Sequence, residues 1–167
     1  MATNWTQALQ VTSLLVAAHS SGYGLCSDRV AVHNALLLSD RETITRQWFR
    51  AWDFGRKYGP FAVTGSGLGF LGAALLDGVN SPGFSLNISA AVSMGLVAVY
   101  TVVYVFPVND KLLAAHSKLI SQKKSDDASQ TTDEIRNLVA TWKSADLKRT
   151  LLSTFAAVAG LIAACKQ

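Results

Sequence analysis

Four apolar runs of roughly membrane-spanning length divide this chain, and they restrict its fold more than any other feature. An apolar helix needs about 20 residues to cross the hydrocarbon core of a bilayer. The runs extend roughly from Trp5 to Leu25, Phe61 to Val79, Phe84 to Phe106 and Leu147 to Cys165. The third is the cleanest. The fourth is shorter in purely apolar terms, so Lys148 and Arg149 must snorkel from its end to the interface. Composition agrees: 50% of the chain is hydrophobic and 16% is charged, where soluble domains carry about 25% charged residues. The expected fold is all-α, a bundle of four transmembrane helices forming a single domain over residues 1–167.

Charge sets the expected orientation. All of the 15 basic residues except Lys166 fall in the connections 28–60 and 107–146 or, as Lys148 and Arg149, just inside the fourth run. The positive-inside bias then puts both long connections in the cytoplasm and both termini in the lumen or outside. The chain reads as a multi-pass protein whose first partner is the bilayer, with the endoplasmic reticulum as the expected compartment. The net charge of +4 is not read as nucleic-acid binding, because aromatic and basic residues do not interleave in an RNA-binding pattern. Cys26 and Cys165 form no CxxC, which argues against a metal cage or redox dithiol. The N-terminus has no basic n-region, so the first run is expected to stay as an anchor. A homo-oligomer stays open as a further partner.

The connections carry their own signals. Ser39 and Glu42 fit a capping box, so RETITRQWFRAWDFGRKYG reads as a cytoplasmic interfacial helix, with Trp48 and Trp52 on one face and Gly59-Pro60 ending it. These tryptophans either lie among headgroups or wall a pocket. Residues 121–134 read as a mobile cytoplasmic loop. Thr131 and Glu134 match a second capping box, opening a helix that carries Trp142, Asp146 and Arg149 on one face. In the second run, Gly65, Gly69 and Ala73 recur at the spacing that lets helices approach closely in lipid.

Ionisable residues within or beside the spans are expensive in lipid, so each is a candidate site. His19 is either a packing hydrogen-bonder or a general base in a dry cavity. Asn109 and Asp110, in YVFPVNDKLLAAH, either mark a helix end meeting water or pair with Arg149 at the bundle mouth. On a continuing helix, Asn109 and His116 share a face and Asp110 points about 100° away. By rise per residue His19 lies about 10 Å deeper than Asn109, which leaves open whether they share one site. His33 and His116 lie in the connections. The three histidines lack HxxxH or HxH spacing, so no metal site is expected.

The stretches PVNDKLLA and LVATWKSADLKRTLLSTFAAVAGLIAA, supported by RQWFRAWDFGRKYGP, resemble the anthrone oxygenase-like family of small four-helix membrane proteins. Its proline-polar-Asn motif, tryptophan and later arginine map onto Pro107, Asn109, Trp142 and Arg149. Many members carry a histidine or asparagine between that tryptophan and arginine, where this chain has Asp146. The resemblance implies oxidation of an anthrone-type polyketide to an anthraquinone with O2 and no metal, flavin or haem cofactor. On that reading His19 or Asp110 is the base, Asn109 and Arg149 hold the phenolate-like oxygen, and Trp48, Trp52, Trp142 and His116 contact a planar aromatic substrate. Two other classes compete: a non-oxidative isomerase or cyclase on the same scaffold, and a non-enzymatic membrane binding protein.

Overall fold

A computed structural model of the chain describes residues 2–121 and 131–166. All regular structure among them is helical. Helix α1 (Ala2–Cys26) runs on through a π-helical segment, Ser27–Val32, and a last turn, His33–Leu36. Helix α2 is Arg41–Asp77. Helix α3 comprises Phe84–Tyr100, a π-helical segment Thr101–Val105 and Phe106–Ser121, which follow one another without a break. Helix α4 is Thr132–Ala164. Each helix packs on two neighbours in a ring, α1 against α2 and α4, and α3 against α2 and α4. Residues 122–130, most of the expected loop 121–134, lie outside the described residues.

Local chemistry explains where the helices begin. Asp40, not Ser39, caps α2: its carboxylate accepts the Thr43 amide at 2.8 Å and the Thr43 hydroxyl at 2.7 Å. Two acceptances hold Asp40 in place, and Glu42 is left to pair with Arg46. At α4 the expected capping box forms between Thr131 and Glu134. Gly78, with a φ of 81° that an L side chain resists, ends α2 by donating to the Ala74 carbonyl.

Two proline readings are corrected. Gly59-Pro60 does not end an interfacial helix; Pro60 lies inside α2, and the aromatic-basic segment is the first half of that helix. A proline removes one N–H and crowds the preceding turn, but tertiary contacts hold this part of α2 in line. The Tyr23 hydroxyl donates to the Ala51 carbonyl at 2.6 Å, and the Tyr23 ring rests on Phe54. Nor does the third helix stop near Phe106. It passes through Pro107, with the wider π turns of Thr101–Val105 just ahead to accommodate the ring.

The bundle has two halves of opposite design. In one, the core is small residues around Phe70 and Met94, namely Ala17, Ala90, Ala156 and Ala159, while Leu15, Leu68, Leu75, Leu96, Phe155 and Leu161 face outward. In the other, bulky Trp48, Trp142, Ile44, Leu112 and Ile135 are inside, while Glu42, Arg46 and Asp133 are outside. Helices α2, α3 and α4 are long and apolar enough to cross a membrane. Helix α1 falls short of that apolarity because glutamines, serines, threonines and His19 dilute it, yet Thr6, Gln10, Ser13 and Ser21 are buried within the bundle.

Close approach depends on missing side chains. A Cβ on Gly69 would collide with the Ser13 hydroxyl of α1, whereas one on Gly65 would meet open space. Only the Gly69–Ala73 part of the expected small-residue row is therefore a buried packing surface. Gly69→Val is expected to lower stability by about 1–3 kcal/mol through overpacking. Gly65→Ala should be neutral or slightly stabilising, and thermal unfolding in detergent would compare the two.

Candidate functional site

Helix α4 supplies one wall where the two halves meet. Its turn spacing puts Trp142, Asp146 and Arg149 on one face, as the sequence predicts. Asp146 is 0% exposed, and one of its carboxylate oxygens takes an ion pair from Arg149 one turn on. Trp142 donates its indole N–H to the Asn109 side-chain oxygen on α3 at 2.7 Å. The unbroken passage of α3 through Pro107 is what brings Asn109 inward to meet it.

Helix α2 supplies the aromatic wall. Trp48 is fully buried, meets Trp142 edge-on at 6.3 Å and stacks on Trp52 at 5.8 Å. Arg56 sits over the Trp52 ring at 4.8 Å, a cation–π contact. His116 stacks flat on Phe49 at 4.0 Å, and Phe49 in turn leans on Trp52. The tryptophans thus pack inside the protein, in a core with Ile44, Leu112 and Ile135, and are not a layer among headgroups.

The third contribution comes from the π segment after α1, which touches both α2 and α4. Asp28 is 1% exposed, and neither of its carboxylate oxygens has a hydrogen-bond partner. Burial, reinforced by the nearby Asp146 carboxylate, pushes its pKa up to about 7; Lys143, Arg149 and Arg29 pull the other way. The Ser27 hydroxyl, the Trp48 indole N–H and the second Asp146 oxygen are likewise buried and unpartnered. Buried polar groups normally find partners, and unmatched ones gathered at one place mark where a polar ligand atom or water fits. The arrangement can accept protons at Asp28 and donate a hydrogen bond from Trp48.

Asn109, Trp48, Trp142 and Arg149 therefore converge, with Trp52 and His116 one layer behind. The other two expected residues do not join them: His19 is exposed on α1 and Asp110 is exposed on α3. The expected partner of Arg149, Asp110 or Asn109, gives way to Asp146, which is nearer along the same helix. Asp28 and Asp146 are the acids that sequence reading left out of the site. Asp28 had a visible signal, since Ala17, Ser21, Gly24 and Asp28 continue one buried helical row past the end of the apolar run. Among the described residues, no three His, Cys, Asp or Glu side chains are grouped to hold a metal ion.

The family model for anthrone oxygenase matches residues 48–159. That span begins at Trp48 and includes Asn109, Trp142, Asp146 and Arg149, while Asp28 precedes it. No curated protein and no solved structure matches the chain.

Two stability measurements test this geometry. Arg149→Ala leaves Asp146 buried and unpaired, which should cost about 3–5 kcal/mol; adding Asp146→Asn should recover part of the loss in a double-mutant cycle. Asp28 has a folded pKa above its reference value of 3.8, so the folded state binds the extra proton between the two. Stability on this account is highest below about pH 4 and falls as pH rises through about 7. Asp28→Asn should therefore melt higher than the native chain above neutrality, with the advantage fading toward acid.

Proposed function

Because this chain belongs to the anthrone oxygenase family, we propose that it oxidises an anthrone-type planar aromatic to the corresponding quinone with O2, at the site around Asp28, Trp48, Trp142 and Asp146. The observation that carries the reading is that the family match spans the residues that α2, α3 and α4 bring together, from Trp48 through Asn109 to Arg149.

The chemistry suits the residues. An anthrone has an acidic CH2 whose conjugate anion is aromatic and electron-rich enough to give an electron directly to O2. One oxygen atom enters the ring carbon as the new carbonyl, and the other leaves as water. The protein must take protons, stabilise the anion's oxygen, hold the tricycle flat and keep bulk water out. Trp48 and Trp142 supply indole faces and the Trp48 N–H a free donor. Asn109 fixes the Trp142 ring through its indole N–H. Arg149 pairs with Asp146 and adds positive charge near the developing oxyanion. The substrate anion supplies the electrons, so this reading calls for no metal, flavin or haem.

All four helices are read as crossing the bilayer. The half with alanines inside and large apolar residues outside suits lipid, whose tails reward packing of small residues between helices. Helix α1 joins it by turning Gln10 and its serines inward. The basic connections then lie in the cytoplasm, with the termini in the lumen of the endoplasmic reticulum. The site sits at the cytoplasmic interface, where an apolar tricycle can enter from the membrane.

The test is incubation of the purified protein with a hydroxylated anthrone under isotopically labelled O2 and under anaerobic conditions. One labelled oxygen in the quinone, and no product without O2, is the expected result. An isobaric product would identify a non-oxidative tailoring enzyme, and tight binding without turnover a binding protein.

A further inference from the structure

We propose that Asp28 is the catalytic base of this site, taking the proton from a carbon acid admitted beside the buried, unpartnered Trp48 indole N–H. The inference rests on the oxidative reading above and names the residue that starts the reaction.

Three features single out Asp28 among the acids. Both of its oxygens are buried without a partner, so lone pairs are free to receive a proton. Asp146 has one oxygen committed to Arg149, and a carboxylate stabilised by a guanidinium is a weaker base. Asp110 and the histidine of α1, His19, are exposed. Position agrees with availability. The π segment that carries Asp28 contacts α2 and α4, the helices that present Trp48 and Trp142.

Its surroundings also tune it. The charged groups that act on Asp28 are Asp146, Lys143 and Arg149 from α4 and Arg29 from its own segment. Burial and Asp146 outweigh the three cations and hold the carboxyl near neutrality, where a general base is most effective. Arg149 is committed to Asp146, which leaves Asp28 unpaired.

The proton balance closes on this one residue. Asp28 accepts a proton from the substrate CH2, and the bonding pair stays on the ring as an anion whose oxygen faces the Trp48 N–H. That anion passes an electron to O2 and recombines as a peroxide anion, which takes the proton back from Asp28. The regenerated carboxylate removes the second C–H proton. The carbonyl forms, the O–O bond breaks, and the departing hydroxide collects the proton from Asp28 as water. Asp28 ends as it began, unprotonated.

The experiment separates proton removal from oxidation. Purified protein in detergent is given a hydroxylated anthrone in anaerobic D2O, and exchange at the ring CH2 is followed by NMR above the buffer rate; O2 uptake is measured in parallel. The native chain should exchange the CH2 without O2, with a rate that rises through about pH 7. Asp28→Asn should lose both exchange and O2 uptake by roughly 100-fold or more, while melting no lower than the native chain at neutral pH. Asp28→Glu, which keeps a carboxylate, should retain part of both rates with a displaced pH profile. If the native chain exchanges and oxidises but Asp28→Asn does so equally well, the assignment of Asp28 is overturned and the oxygenase reading stands. If Asp28→Asn fails to fold, an Asp28→Glu pH profile identical to the native one overturns the assignment instead. A native chain that binds the anthrone without exchange or O2 uptake overturns the oxygenase reading itself.

Discussion

Two buried carboxylates share an interior with one committed guanidinium, and the rest of the site depends on that imbalance. Arg149 satisfies one oxygen of Asp146. Nothing satisfies Asp28. An uncompensated acid in a dry interior is disfavoured, so a fold kept only for stability would have replaced Asp28 by an amide or an apolar residue. The surrounding tryptophans deepen the imbalance by keeping water away, and Asn109 locks one of them in place. A carboxyl held near neutrality and a packed tryptophan core are thus two results of the same exclusion of solvent.

The position of this imbalance follows from the way the two halves of the bundle are packed. Where small residues fill the interior, helices lie too close together to admit a tricyclic ligand. Gly160 shows how close, since a Cβ there would strike the Phe70 ring of α2. Where tryptophans fill the interior, the helices carry charge on their outer faces. The buried carboxylates lie at the change from one regime to the other.

Much of the fold was legible in the sequence. Apolar runs located the helices, Thr131 and Glu134 located the start of α4, and helical spacing put Trp142, Asp146 and Arg149 on one face. The prolines misled because Pro60 and Pro107 act locally to stop helices, whereas Tyr23, Phe54 and the π turns act through tertiary structure to carry them onward. His19 misled because its depth in an apolar run says nothing about which way it points. Asp28 was missed for the converse reason. It follows the apolar run, so it looks like the first residue of a wet connection, yet the helical row of Ala17, Ser21 and Gly24 carries it inward. Pairing was legible only in part, since the sequence offers Arg149 several acids and only packing decides that Asp146 is the one in reach.

The π-helical segments have a consequence for registration along the chain. A π turn accommodates one more residue than an α turn, and each residue of an α-helix advances the side-chain direction by about 100°. In α3 the inward positions pass through Val97 and then Val105, Asn109 and Leu112, about one residue later than a regular helix would place them. The lipid-facing and site-bearing parts of α3 are therefore out of phase, and each can present its own inward stripe. A chain built this way can change the residues that enter the tryptophan core without rotating the face of its apolar half, and Thr101–Val105 is the swivel that uncouples the two.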